Sequence, residues 1–511
     1  MAKRAIALFV ALFLGLFSLA GGPAPSVAEG KVTLDVKEKT LQNGLKILVV
    51  ENHTAPVVSC LMRFKVGSVD ERPGITGTAH LLEHMLFKGS QQIGTTSYEA
   101  EVPLMKKIDS LAVLLRAEQK KLQNVLWGGD LAKVKALRDE IARLQDEQKK
   151  YVLKDELWET YLKNGGTGLN ASTNDDGTQY YVSLPANRLE LWAWLESDRL
   201  RDPVLREFYS ERDVVFEERR LRTDNQPFGK LFEQFYALAF GAHPYSWPTV
   251  GWPGDLKTVM REEVEQFFKQ YYAPNNAIMA IVGDVNAEAT FAMMTRYFED
   301  IPAFPDQPRP VFTDEPKQEG ERRAELEFEA NPLLAVGFMG REIAHPDNEV
   351  LDVTAAILSQ GRTSRLYKKI VEEKKLAVGI NASNSSSRYP DLFFITATPL
   401  APHTPAEIEA ALYDELERLK NEPVSEWELQ KVKNQLDANF IRSLSSNTGT
   451  AFGLATVTAL TGDWRYALQN IENLKKVTAD DIMRVAKKYF TKSNRTVVTL
   501  VTKEKSPTAK L

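Results

Sequence analysis

The chain has 511 residues, of which 43% are hydrophobic and 26% charged, with a formal net charge of −5. That length exceeds what one hydrophobic core supports, so two or more domains are expected. The acidic balance and the lack of a long basic run argue against nucleic acid as a partner, and the single cysteine, Cys60, excludes an internal disulfide.

The first segment reads as a secretory signal over residues 1–28. Lys3 and Arg4 form a basic n-region, Ala5 to Leu19 is apolar, and Ser26-Val27-Ala28 offers small residues for cleavage before Glu29. The apolar run is short for a membrane span, so no span is expected once the signal is cleaved; an uncleaved anchor is the alternative. This pattern predicts an exported protein of the bacterial periplasm.

Next, "KTLQNGLKILVVENHTAPVVSCLMRFKVGS" predicts a hairpin turning at Asn43-Gly44. Cys60 sits in its strand-like "PVVSCLMRF" and reads as buried and inert. "GITGTAHLLEHMLFKGS" predicts a helix with Thr76 or Thr78 as N-cap and Gly89 as its stop. Ala100 to Leu153 carries apolar residues at three- and four-residue spacing, interrupted by Trp127-Gly128-Gly129-Asp130, and predicts an inserted antiparallel helical hairpin. Helices are expected over Arg188–Arg199 and Glu211–Thr223, and a buried strand over Ala277–Val285. Pro302 to Gly320, rich in Pro, Asp, Glu and Gln, reads as a linker.

The chain then repeats itself. "QFFKQYYAPNNAIMAIV" closes the first half and "RVAKKYFTKSNRTVVTLV" the second, aligning Tyr272 with Phe490 and Asn276 with Asn494. "PVVSCLMRFKVGS" likewise resembles "PLLAVGFMGREIA" from Pro332. The expected fold class is α+β: two tandem homologous domains, each a mostly antiparallel sheet packed with helices, plus the helical hairpin. Their expected bounds are 29–301 and 323–505, with a linker over 302–322 and a tail over 506–511.

His80 and His84 are four apart on the predicted helix, so both can face one ion, with Glu83 beside them. Imidazoles suit zinc, a catalytic zinc takes three protein ligands, and a nearby carboxylate serves as general base. HxxEH is the inverted form of the HExxH arrangement. With six histidines in the chain, a chance HxxEH is expected on the order of 0.005 times. The third ligand is open at this level. Glu211 and Glu218 in "SERDVVFEERRLRTDNQP" are seven apart and share a helical face, so one can ligate while the other orients a ligand.

"HLLEH…ERDVVFEE", with "LNAST", "LPANRLELWAWLESDRL", "HPYSWPTVGW" and "YYAPNNAIMAIVGDV", resembles the pitrilysin, insulysin and mitochondrial-processing-peptidase family of inverted-motif zinc peptidases. The resemblance implies one Zn2+ held by His80, His84 and Glu218, with Glu83 activating the attacking water and Glu211 as the supporting carboxylate. It also implies that Asn170 and Ala171 bind the substrate backbone ahead of a strand that can pair with an extended peptide. The inserted hairpin accounts for the 134 residues between His84 and Glu218, more than the family's usual spacing.

The family's second half carries an arginine and, seven residues on, a tyrosine that bind the substrate carbonyl. Those positions fall here on Val371 and Val378, which donate no hydrogen bond; Arg365 and Tyr367 lie upstream at a different spacing. The resemblance therefore implies the zinc-bearing subunit of a clam-shell heterodimer whose homologous partner supplies the arginine–tyrosine pair, acting on extended or unfolded peptides. A homodimer, and a non-catalytic structural or chaperone-like subunit, are the alternatives.

Overall fold

The computed structural model describes residues 33–123, 125–305 and 310–503. The signal segment 1–28 and the tail 506–511 lie outside the described residues. None of the described helices is long and apolar enough to cross a membrane.

Among the described residues the strands form two sheets. The first has the order β1-β2-β6-β3-β5-β4, built from β1 (Val36–Thr40), β2 (Lys46–Glu51), β3 (Val57–Phe64), β4 (Thr167–Thr173), β5 (Thr178–Pro185) and β6 (Ala277–Gly283). The second has the order β7-β11-β8-β10-β9, from β7 (Arg322–Phe328), β8 (Leu333–Met339), β9 (Ala377–Asn384), β10 (Leu392–Pro399) and β11 (Arg495–Thr502). Each sheet is antiparallel except for one parallel pair, β2 with β6 and β7 with β11. Setting β1 aside, the sheets correspond strand for strand. The correspondence extends to single bonds: Asn276 Nδ2 donates to Tyr271 O at 2.9 Å, and Asn494 Nδ2 to Tyr489 O at 2.9 Å. The repeat legible in the sequence is thus a repeat of structure.

The hairpin at Asn43-Gly44 joins β1 to β2. β3 is not β2's neighbour, because β6 lies between them. The continuous apolar run of β6, buried along its whole length, suits a central strand covered on both faces. One face of the sheet packs on helices of the first half through Cys60, Met62, Met279 and Ile281.

The opposite face of that sheet is covered from the second half. Helix Asn447–Thr461 lies against β3 and β6. Phe452 meets Tyr181 edge-on with centroids 4.6 Å apart, Thr448 Oγ1 is 3.0 Å from Ser59 Oγ, and Asn52 Nδ2 donates to Asn447 Oδ1 at 2.7 Å. The reciprocal contact is made by helix Pro227–Ala239 of the first half, which packs on β7, β8 and β11 of the second sheet. Its Leu231 and Phe235 join Ala335, Leu392, Val498 and Leu500 in one apolar cluster. Gly337 on β8 makes room for it: a Cβ there would lie 2.4 Å from Phe235 Cζ. The halves therefore exchange helices. Glu315, within the segment joining them, accepts from the backbone N–H groups of Gly241 and Ala242, both at 2.8 Å, and so is pinned to the body.

The insert forms the expected pair of helices, Tyr98–Leu122 and Leu131–Gln148. Asp130 caps the second by accepting from Ala132 N at 2.8 Å. Its inner residues Ile108, Ala112, Ile141 and Leu144 join the first-half core.

Candidate metal centre and active site

The motif lies on helix Thr78–Met85, which runs on through Leu86–Lys88 to Gly89 in the left-handed region, φ 93°. The N-terminus departs from expectation. Neither threonine caps it: Thr76 Oγ1 donates to Asp255 Oδ2 and Thr78 Oγ1 to Ile75 O, each at 2.6 Å. The N-cap is Gly77 at φ 88°, where a Cβ would lie 2.6 Å from Val250 O. A glycine has no side chain to accept the free helix N–H groups. The buried Glu71 accepts them instead, from Gly77 N at 2.8 Å and Ala79 N at 2.7 Å. Leu81, Leu82 and Met85 anchor the helix in the core, which leaves His80, Glu83 and His84 on the opposite face.

Helix Phe208–Arg219 supplies the acidic side. Ligand atoms of His80, His84 and Glu218 all lie within 4.8 Å of one another. His80 Nε2 is 3.8 Å and His84 Nε2 3.3 Å from the Glu218 carboxylate. Glu211 Oε1 holds the other imidazole nitrogen of His84, Nδ1, at 3.0 Å, and Lys88 Nζ grips Glu211 Oε2 at 2.7 Å. Glu217 turns away to Arg220 at 3.0 Å. Two imidazoles and a carboxylate converging, with one imidazole oriented by a second carboxylate, is the donor set that zinc takes. The residues present therefore fit the ion, with His80, His84 and Glu218 as the side chains that would hold it.

The electrostatics of the cluster agree with that fit. Burial, helped by the neighbouring His84 charge, lowers His80 to about 4. Burial also works against a charged His84, but its bonds to Glu211 and Glu218 raise it to about 9. Glu218 is held near 2 against its burial by His84, His80 and Arg222. Glu83 is buried, which raises its carboxyl above the ordinary value, while Thr173 Oγ1 donates to its Oε2 at 2.6 Å.

Thr173 ends β4, the edge strand of the first sheet. Asn170 and Ala171 lie on that same strand, three and two residues earlier; Asn170 Oδ1 accepts from Ala171 N at 2.9 Å. Among the described residues β4 has no strand on its outer side, so a sheet edge runs up to Glu83, where an extended peptide could add as a further strand.

Lys88, Thr173, Glu71 and Arg222 went unread in the sequence. Lys88 and Arg222 had a local signal, each four residues beyond His84 and Glu218 on the same helical face. Arg222 Nη1 lies 2.6 Å from Glu218 Oε1. In the second half, Val371 packs at the edge of the core and Val378 on edge strand β9 is 64% exposed. Arg365 is bound by Glu428 at 2.8 Å and Glu415 at 3.4 Å, so its guanidinium is committed to the scaffold.

Comparisons with known proteins point in the same direction as this fold and donor set. Residues 46–106 match the family model described as Insulinase (Peptidase family M16), and residues 258–436 the one described as Peptidase M16 inactive domain. "Zinc protease PqqE" of Helicobacter pylori is 29% identical over 469 residues, covering 90% of this chain and 91% of that protein. The crystal structure of a protease from Helicobacter pylori has a TM-score of 0.77 at 26% identity, covering 92% of this chain and 99% of that one. The first half of the periplasmic protease PqqL from Escherichia coli shares the fold, with a TM-score of 0.66 at 18% identity over 93% of this chain and 94% of that one. The chain is thus similar in both halves to peptidase family M16 and along nine-tenths of its length to a zinc protease.

Proposed function

We propose that this chain is a zinc-dependent endopeptidase of extended or unfolded peptides and the zinc-bearing subunit of a heterodimer. The observation that carries the proposal is the convergence of His80, His84 and Glu218 within 4.8 Å, beside the buried Glu83 and the end of the β4 edge. Zinc, when bound, supplies the Lewis acidity that polarises a peptide carbonyl and acidifies a water. Glu83, beside those ligands, would take the proton from the attacking water and return it to the leaving amine. The Thr173 hydroxyl fixes one Glu83 oxygen and leaves the other for the proton. Glu211, held by Lys88, fixes the ring of His84. Asn170 and Ala171 on β4 align the substrate backbone by strand addition, which demands extended chain and little particular sequence.

The heterodimer rests on Val371 and Val378. Side-chain donors to the oxyanion are worth about 3–4 kcal/mol each, and neither valine can donate. A homologous chain carrying the arginine–tyrosine pair would complete the site across a chamber between two clam-shell halves. Export to the periplasm rests on the reading of residues 1–28, and fractionation of the native host tests it.

Zinc analysis and peptide cleavage by wild type and Glu83→Gln test the chemistry. Wild type is expected to carry one zinc and cleave, and Glu83→Gln to keep the zinc and lose cleavage. Cleavage retained in Glu83→Gln sinks the assigned base; no zinc and no cleavage in wild type, with or without a co-purified homologous chain, favours the non-catalytic subunit. Full activity of this chain alone excludes the need for a partner.

A further inference from the structure

A cleft of about 620 Å³ opens between the inserted hairpin and helix Phe208–Arg219. Tyr209, Arg212, Asp213 and Phe216 line it; by helical period they lie on the face opposite Glu211 and Glu218. The cleft is independent of the zinc chemistry proposed above, and the insert builds half of it.

Its charge is unbalanced. Arg116, Arg138, Arg212 and Lys257 line it against one carboxylate, Asp213. Arg212 is largely buried and only weakly compensated. Its side chain is 17% exposed, and the nearest oxygen of Asp213, itself 80% exposed, lies 4.0 Å from Nε. Nη1 donates to Val259 O at 3.0 Å and the guanidinium lies 5.3 Å from the Tyr209 ring centroid, while Nε is buried with no hydrogen-bond partner among the described residues. Arg116 is neutralised by Glu263 at 3.1 Å. Arg138 and Lys257 stand exposed at the rim, Lys257 Nζ 4.9 Å from the Phe216 ring centroid. A buried guanidinium whose one counter-ion is distant and exposed is costly, and its planar fork matches a carboxylate or phosphate. The floor is apolar, formed by Leu115, Ile141, Phe216 and Leu256, and the volume is that of a small-molecule site.

We propose that this cleft binds an organic anion, a carboxylate or phosphate head on an apolar body. Arg212, Arg138 and Lys257 receive the head, and Leu115, Ile141, Phe216 and Leu256 receive the body.

Titration calorimetry on the full chain, zinc-loaded, with decanoate, decyl phosphate, decyltrimethylammonium and inorganic phosphate tests the site. One decanoate or decyl phosphate per chain is expected, and neither decyltrimethylammonium nor inorganic phosphate at comparable affinity. The tighter of the two decyl anions identifies a carboxylate or a phosphate source. Arg212→Gln should weaken binding about tenfold. Arg138→Gln with Lys257→Gln, at exposed positions that leave the core intact, should weaken it similarly and shrink the ligand-induced rise in melting temperature. Equal binding of the decyl cation, inorganic phosphate binding as tightly as decyl phosphate, no binding of either anion, or unchanged affinity in the double variant would overturn the proposal.

Discussion

Glu71→Ala isolates the group that starts the motif helix. The substitution removes the acceptor of Gly77 N at 2.8 Å and Ala79 N at 2.7 Å. Both donors are buried, and nothing else in the first turn is placed to replace the carboxylate, because Gly77 has no side chain and the Thr76 and Thr78 hydroxyls are engaged elsewhere. An orphaned buried N–H costs about 1–3 kcal/mol. Some of that is returned, since burial raises the Glu71 carboxyl well above its ordinary value and its removal relieves that desolvation. A net loss of about 2–4 kcal/mol follows for Glu71→Ala. Glu71→Gln, which keeps one acceptor oxygen and turns an amide NH2 toward the other donor, should fall between wild type and alanine. The loss is local, so hydrogen–deuterium exchange should quicken over residues 77–85. Zinc affinity, measured by chelator competition, should fall with it because His80 and His84 ride on that turn. Unchanged protection at Gly77 and Ala79 together with an unchanged denaturation midpoint would refute the capping role.

Glu211→Gln should keep a zinc stoichiometry of one but weaken affinity about 10- to 100-fold, the range for losing a group that orients a ligand; chelator competition showing no change would remove Glu211 from that role. Gly337→Ala should destabilise by about 1–3 kcal/mol through overpacking against Phe235, and Phe235→Leu in the same chain should recover part of it in thermal melts. Burial alone would raise Asp347, yet bonds from Lys488, Tyr489 and Arg484 hold it well below the usual carboxylate value. A depressed folded pKa gives stability that is present above the unfolded value near 4 and is lost as pH falls through the folded one. Asp347→Asn should therefore be about 1–3 kcal/mol less stable at pH 7, with the gap to wild type narrowing as urea midpoints are followed into acid.

What the sequence made legible was whatever local period encodes. His80, Glu83 and His84 share one helical turn, and Glu211 and Glu218 share a face two turns apart, so each half of the cluster could be read from its own segment. The inserted hairpin announced itself by apolar spacing and by the Gly128-Gly129 break. The duplication was visible because Asn276 and Asn494 keep the same turn at the end of each half. Partners that lie off the helix, across a loop or on another segment, carry no such mark. Nothing near Gly77 says that its cap is Glu71 across a loop, and nothing in "LNAST" says that Thr173 reaches Glu83. The periodicity of Pro227–Ala239 and Asn447–Thr461 says that each helix buries a face, but a helical stripe is indifferent to which sheet it meets. The neighbours of β3 were likewise hidden, because β6 arrives from some two hundred residues downstream to part it from β2.

That crossed packing decides what happens when the chain is cut. Cleavage between residues 302 and 322 would release two fragments, each carrying a helix that belongs on the other and each with one bare sheet face. Neither should fold alone; expressed separately they should aggregate, and expressed together they should reassemble into a nicked protein with the stability of a tight dimer. The linker is thus a tether between two halves that are already committed to each other, and its integrity matters for assembly more than for the finished fold.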